Sequence, residues 1–396
     1  MKEAVSMELS TVVRGVEAYT RRRLPAYIEE LRELCGIDSY SFYKPGLDEV
    51  AGYLAGRMRG LGMDVTLYEH QEWGNDLLGV MRGEGSGKVL LLGHIDTVYP
   101  PGIAAERPLR IEGDTIYGPG VCDMKGCVLA ALYAVEALHA LGSRPFEELR
   151  FLCVSDEEVN DHRHSQQIIT AACEGCDAVL VLEAARANGD IVSARKGNAW
   201  YTLTAQGRSA HAGVEPEKGR NAILEIAHQA LQFSRLNGWR EGITINAGVI
   251  SGGTLPNVVP DFAQVRFDVR FLRSEDLIAT EARWRELMQQ QLVPGVELTL
   301  QAEADRKEPM VPTPASLRLA ERAQEIAADL GFSLHHVLTG GASDGSYPSM
   351  LGIAALDGLG PIGGLDHSPR EYLMASSVAP RTALLAGLIA VAGIPG

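Results

Sequence analysis

Five short stretches of the 396-residue sequence place histidine and carboxylate side chains where a sheet can gather them. His94 and Asp96 stand in Leu-Leu-Gly-His-Ile-Asp-Thr-Val, just past the apolar run 88–92, and Asp123 lies in Gly118-Pro-Gly-Val-Cys-Asp-Met-Lys-Gly126. Glu157 and Glu158 follow the run ending at Val154, Glu183 follows the run ending at Leu182, and His367 lies in Gly364-Leu-Asp-His-Ser-Pro369. Taken singly, each carboxylate suits a helix cap or a solvated loop, and each histidine a polar surface. Taken together, two histidines and several carboxylates fall at the carboxyl ends of strands, the edge at which open α/β sheets bind ligands. The adjacent pair Glu157-Glu158 would repel itself unless cations or solvent compensated. No lysine or arginine precedes Arg163 in that loop.

Two divalent ions supply that compensation, because zinc accepts both histidine nitrogen and carboxylate oxygen. One arrangement uses each group once. Asp123 bridges the ions, His94 and Glu183 complete one site, and Glu158 and His367 complete the other. Three carboxylates against two dications leave about +1, which a bridging hydroxide neutralises, and ions about 3.5–4 Å apart lower the pKa of such a water. Asp96 is then placed to hold the other N–H of His94. Glu157 stays unligated, able to take the proton of the water and deliver it to a leaving nitrogen. The same donors accept cobalt or manganese, so the expectation is two divalent ions with zinc preferred.

These residues need a scaffold, and the apolar pattern outlines one. Helices are predicted over 47–61, 124–141 and 163–173, with strands over 64–68, 77–81, 88–92, 149–154 and 178–182. Unbroken apolar strands alternating with helices imply a sheet covered on both faces. The style changes near Asn198. Strands over 200–205, 243–250, 264–271 and 296–302 and helices over 222–236 and 276–291 give the order β-α-β-β-α-β, a ferredoxin-like pattern. Beyond Pro309 the first style returns, with helices over 315–330 and 376–391 and strands over 334–338 and 353–356. The expected fold is a large doubly wound α/β domain (1–197 and 310–396) interrupted by a smaller α+β domain (198–309).

Composition narrows the partners. A formal net charge of −15 leaves no basic excess for a nucleic-acid phosphate backbone or an acidic membrane surface. No run approaches the roughly 18 apolar residues of a membrane span. The first fifteen residues lack a secretory h-region, so a cytoplasmic protein is expected. The six cysteines are scattered, and Cys173-Glu-Gly-Cys176 lacks a second pair at zinc-ribbon spacing, so thiols without function are expected.

At this point the sequence resembles the di-zinc aminoacylase and carboxypeptidase family, which includes glutamate carboxypeptidase, acetylornithine deacetylase and succinyl-diaminopimelate desuccinylase. The resemblance rests on Gly93-His-Ile-Asp-Thr-Val-Tyr-Pro100, the 118–126 stretch, Ser155-Asp-Glu-Glu158, Ala210-His-Ala-Gly213, Ser251-Gly-Gly-Thr-Leu-Pro-Asn-Val-Val-Pro260 and Gly340-Gly-Ala-Ser-Asp344, in that order. It implies the same ligand set, with Glu157 as base, and a cis peptide after Asp123. It implies that the inserted domain is a dimerisation and lid domain, and that His211 reaches the partner subunit's site to polarise the scissile carbonyl. It implies that Asn257 and Arg306, with Arg270 close by, bind a substrate carboxylate, for which an arginine fork is well shaped.

The glutamate carboxypeptidase branch is the version most resembled, through 211–222 and 340–344. The expected activity is therefore hydrolysis of an amide bond beside a free carboxylate in an N-acyl amino acid or short peptide. The alternatives are an N-carbamoyl or N-succinyl amino acid amidohydrolase and, from another class, a non-catalytic binding protein or an amide-forming enzyme. Two departures stand out. Val159-Asn-Asp-His-Arg-His-Ser165 is bulkier and more charged than the small-residue segment usual after the paired glutamates, with His162 and His164 expected to be solvated. Cys127 replaces a glycine and is expected to be a packed thiol.

Overall fold

The computed structural model describes residues 2–159, 163–303 and 306–393. Its main sheet has six strands in the order Asp64–Tyr68, Asp76–Arg82, Glu148–Val154, Lys88–His94, Ala178–Val181 and Ala354–Leu356. The last four are parallel to one another, and Asp76–Arg82 runs antiparallel to the strand on either side of it. Alternation along the central strand divides its side chains between two cores. Val89 and Leu91 join one core with the helices Lys125–Ala140 and Ala375–Val391, and Leu90 and Leu92 join another with Ile169 and Cys173. Burial on both faces explains why these strands read as continuous apolar runs.

The second layer lies between strand Ile191–Arg195 and helix Pro314–Leu330 in the chain. Four antiparallel strands stand in the order Thr244–Gly252, Phe262–Phe271, Gly197–Gln206 and Glu297–Ala302, with Ala222–Ser234 and Ser274–Leu287 as helices. This is the expected β-α-β-β-α-β order. It has its own core, in which Phe233 stacks on Trp284 with ring centroids 4.5 Å apart. Asn221 caps the first helix by accepting the Leu224 N–H at 3.0 Å.

Besides strand Ile191–Arg195, two larger features were not anticipated. Residues Lys2–Cys35 form one long helix whose positions 13, 16, 20, 27, 31 and 34 are buried at helical spacing. Arg21-Arg22-Arg23 and Pro25 interrupt that stripe in the sequence. A small sheet of two- and three-residue strands, Gly363–Gly364, Tyr372–Met374, Thr115–Tyr117 and Arg110–Glu112, links the loops that carry Asp123 and His367. Strands that short have no readable period. Among the described residues no helix is long and apolar enough to cross a membrane.

Candidate metal centre

His94 is the last residue of its strand, and Glu158 and Glu183 lie just beyond the neighbouring strand ends. Asp123 sits in the loop that turns into helix Lys125–Ala140, and His367 in the loop between strands Gly363–Gly364 and Tyr372–Met374. The fold brings these five residues together. His94 Nε2 is 3.0 Å from Asp123 Oδ1 and 3.8 Å from Glu183 Oε1. His367 Nε2 is 3.2 Å from Asp123 Oδ2 and 3.0 Å from Glu158 Oε1. Asp123 thus presents one oxygen to each histidine. The donor atoms of each trio lie within 4.8 Å of one another. Ligands around a tetrahedral ion with bonds of about 2.0–2.1 Å stand about 3.3 Å apart, so both trios fit a divalent ion.

The electrostatics agree with that fit. Burial, followed by the neighbouring Asp123 charge, pushes the Glu158 carboxyl up to about 8, and the same two causes raise Glu183 well above its usual range. Burial opposes the charge on Asp123 too, but hydrogen bonds from His367 and His94 hold it far below a normal carboxylate. Hydrogen bonds to Asp123 and Glu158 push His367 up to about 11. The cluster therefore draws in protons wherever positive charge is lacking, which is the condition two cations relieve.

Two carboxylates hold the cluster in shape. Glu371, buried, accepts the backbone N–H groups of Gly120, Cys122 and Asp123 at 3.0, 2.8 and 3.0 Å, and the Tyr99 hydroxyl at 2.8 Å. Asp96 accepts the N–H groups of Glu157 and Glu158 at 3.1 and 3.0 Å and the Ser41 hydroxyl at 2.7 Å. His94 Nδ1 lies 3.0 Å from the Asp96 carbonyl and 3.2 Å from its carboxylate. Asp96 therefore orients the histidine and both glutamates at once. The Asp123–Met124 peptide is cis.

Glu157 stands apart from both trios. Lys307 Nζ donates to its Oε1 at 2.6 Å and to its carbonyl at 3.0 Å. Burial raises the Glu157 carboxyl, and Lys307 works against that rise. The departing segment is anchored by Arg163, whose fork meets Asp344 at 2.5 and 3.0 Å. Residues 160–162 of that segment, including His162, lie outside the described residues. His164, expected to be solvated, is instead half-buried, with its ring 4.0 Å from that of His70. Asp156 accepts its backbone N–H at 2.7 Å and draws it inward. Cys127 is a buried thiol donating to the Cys122 carbonyl. Glu371, Lys307 and Arg163 were missed because each acts on a partner more than a hundred residues away, at a distance no motif spans.

The remaining expected site residues lie on the second layer. His211 is exposed, with Nδ1 accepting the Gly213 N–H at 3.2 Å, and Ala212 N–H donates to the Asn257 carbonyl at 3.0 Å, so these two loops are adjacent. Arg270 pairs with Asp268 at 2.9 Å. Arg306 pairs with Glu308 and covers the Phe271 ring at 5.6 Å. Among the described residues none of the four has a hydrogen bond or ion pair to the five cluster residues.

Residues 90–391 match the model of the peptidase family M20/M25/M40. Carboxypeptidase G2 of Pseudomonas sp. strain RS-16 is 29% identical over 371 residues, covering 92% of this chain and 89% of that protein. Succinyl-diaminopimelate desuccinylase of Alkalilimnicola ehrlichii is 29% identical over 360 residues, covering 85% and 92%. Among solved structures, a tripeptidase of Staphylococcus aureus superimposes with a TM-score of 0.79 at 22% identity, over 94% of this chain and 99% of that one.

Proposed function

This chain belongs to peptidase family M20/M25/M40, metallopeptidases and amidohydrolases, and from that premise we propose that it hydrolyses an amide bond beside a free carboxylate in an N-acyl amino acid or short peptide. The observation that carries the reading is Asp123, with one carboxylate oxygen toward His94 and the other toward His367. Two divalent ions, zinc by preference, would be held by His94, Asp123 and Glu183 on one side and by Asp123, Glu158 and His367 on the other. When bound, such a pair supplies Lewis acidity and lowers the pKa of water.

Glu157 takes up the proton of the attacking water at Oε2, the oxygen that Lys307 does not hold, and passes it to the leaving nitrogen. Lys307 and the Asp96 contact to its backbone keep that carboxylate aimed. Arg306, Arg270 and Asn257 bind the substrate carboxylate, and the partner subunit's His211 polarises the scissile carbonyl. A homodimer through the inserted domain is supported by the edge strand Thr244–Gly252, which exposes Val249 and Ile250.

A relative named for desuccinylation, at the same identity as the carboxypeptidase, favours N-succinyl amino acids as the second reading. The test is chelation followed by a substrate panel. Metal removal abolishes turnover, and zinc or cobalt restores it. A panel of N-acyl glutamates, dipeptides, N-succinyl and N-carbamoyl amino acids then ranks the acyl groups. Full activity of metal-free protein overturns the reading.

A further inference from the structure

A third group of metal-compatible side chains lies outside the two trios. His70 Nε2 is 3.0 Å from Asp76 Oδ2, and His164 Nε2 is 3.3 Å from the same oxygen. The three donor atoms lie within 4.8 Å of one another, around a buried aspartate. Asp76 Oδ1 is taken by Ser155, through its N–H at 2.8 Å and its hydroxyl at 3.0 Å. The other oxygen is therefore the one turned toward the two rings.

We propose that His70, Asp76 and His164 form a third divalent-metal site, separate from the catalytic pair, which takes a borderline transition ion such as zinc. The donor spacing matches the roughly 3.3 Å between ligands of a tetrahedral ion bonded at about 2.0–2.1 Å. Two imidazoles and one carboxylate suit zinc, cobalt, nickel or copper and disfavour magnesium and calcium, which prefer oxygen. The two rings converge on one carboxylate oxygen, with their centroids 4.0 Å apart. Beyond the three donors, His164 Nδ1 lies 3.0 Å from Asp156 Oδ2 without hydrogen-bond geometry, so the nearby carboxylate adds negative charge to the site but does not orient the ring. His70 and His164 are partly open to solvent, which leaves room for water as the fourth ligand.

The ion would act as a fastener. His164 belongs to the segment that departs from the family pattern, His70 to the loop before strand Asp76–Arg82, and Ser155 opens the stretch bearing Glu157 and Glu158. Binding ties all three together beside the catalytic loop without touching the catalytic ligands.

The test is metal content after equilibration with zinc and removal of the unbound ion. Wild type retains one equivalent more than His70→Ala or His164→Ala. His70→Gln, which keeps size and polarity, guards against a folding defect and shows the same loss of one equivalent. In an Asp123→Ala background, which strips the catalytic pair, the remaining equivalent disappears on adding His70→Gln. Zinc also slows amide exchange over 155–159 and 163–165 in wild type but not in His70→Gln. Equal metal content in wild type and in folded His70 and His164 variants overturns the site, whatever becomes of the catalytic pair.

Discussion

Glu157 and Glu158 are adjacent, yet their surroundings give them different work. Glu158 faces His367 and Asp123, whereas Glu157 faces Lys307. Replacing Glu157 with alanine is expected to cost about 10²–10⁴ in kcat while the metal content stays at the wild-type level. Steady-state kinetics with metal analysis checks this, and retained turnover would move the base elsewhere. Glu371 is the residue-scale support for Asp123. Glu371→Gln removes the charge from three backbone hydrogen bonds, each worth about 1.5–3 kcal/mol when one partner is ionised. A lower Tm and a weaker metal affinity are expected together, by thermal unfolding and chelator competition. Unchanged affinity would mean that Glu371 does not position Asp123. The sequence pattern singled out the five side chains that the fold gathers, because their types and order carry the charge logic. It was silent on Glu371 and Lys307, since a lone glutamate or lysine becomes informative only when the fold reveals what it faces.

At the scale of elements, the strands that end at the site were legible within one or two residues. A strand buried on both faces has to be apolar throughout, as at Lys88–His94 and Ala178–Val181. Helix 163–173 was read too long. It starts at Gln166, because Arg163 and His164 are held by Asp344 and Asp156 instead. That makes the Arg163–Asp344 pair a structural clasp between the atypical segment and the 340–344 motif. Arg163→Met strands Asp344 as a buried charge, and about 3–5 kcal/mol of destabilisation is expected in urea unfolding. Gly126 makes a matching demand at the start of its helix. A Cβ there would lie 2.2 Å from the Val121 carbonyl and 2.8 Å from a Leu373 methyl. Gly126→Ala is expected to cost about 1–3 kcal/mol through overpacking, and to weaken metal binding because the displaced loop carries Asp123. A variant of wild-type stability and affinity would show that the loop absorbs the methyl.

At the scale of the whole molecule, the cluster lies on the main-sheet layer and His211 on the second. His211 is exposed and, among the described residues, has no hydrogen bond or ion pair to the cluster, while Lys307, at the chain's return from the second layer, reaches Glu157. The second layer also presents an edge strand with Val249 and Ile250 exposed, the kind of edge that soluble proteins usually cover. If a second copy covers it, His211 can serve the neighbouring site, and two dead variants become informative. Glu157→Ala and His211→Ala are each expected to be inactive as homodimers. In a mixed dimer built across a two-fold axis, the subunit that retains Glu157 receives His211 from the other. Half the dimers formed by random exchange are mixed and each has one complete site, so mixing restores roughly a quarter of wild-type activity. If His211 acts on its own subunit's site, no mixed dimer holds a complete site and activity stays at the level of the separate variants. With a mass tag on one variant, native mass spectrometry of the mixture confirms that exchange took place, so an absence of rescue assigns His211 to its own chain.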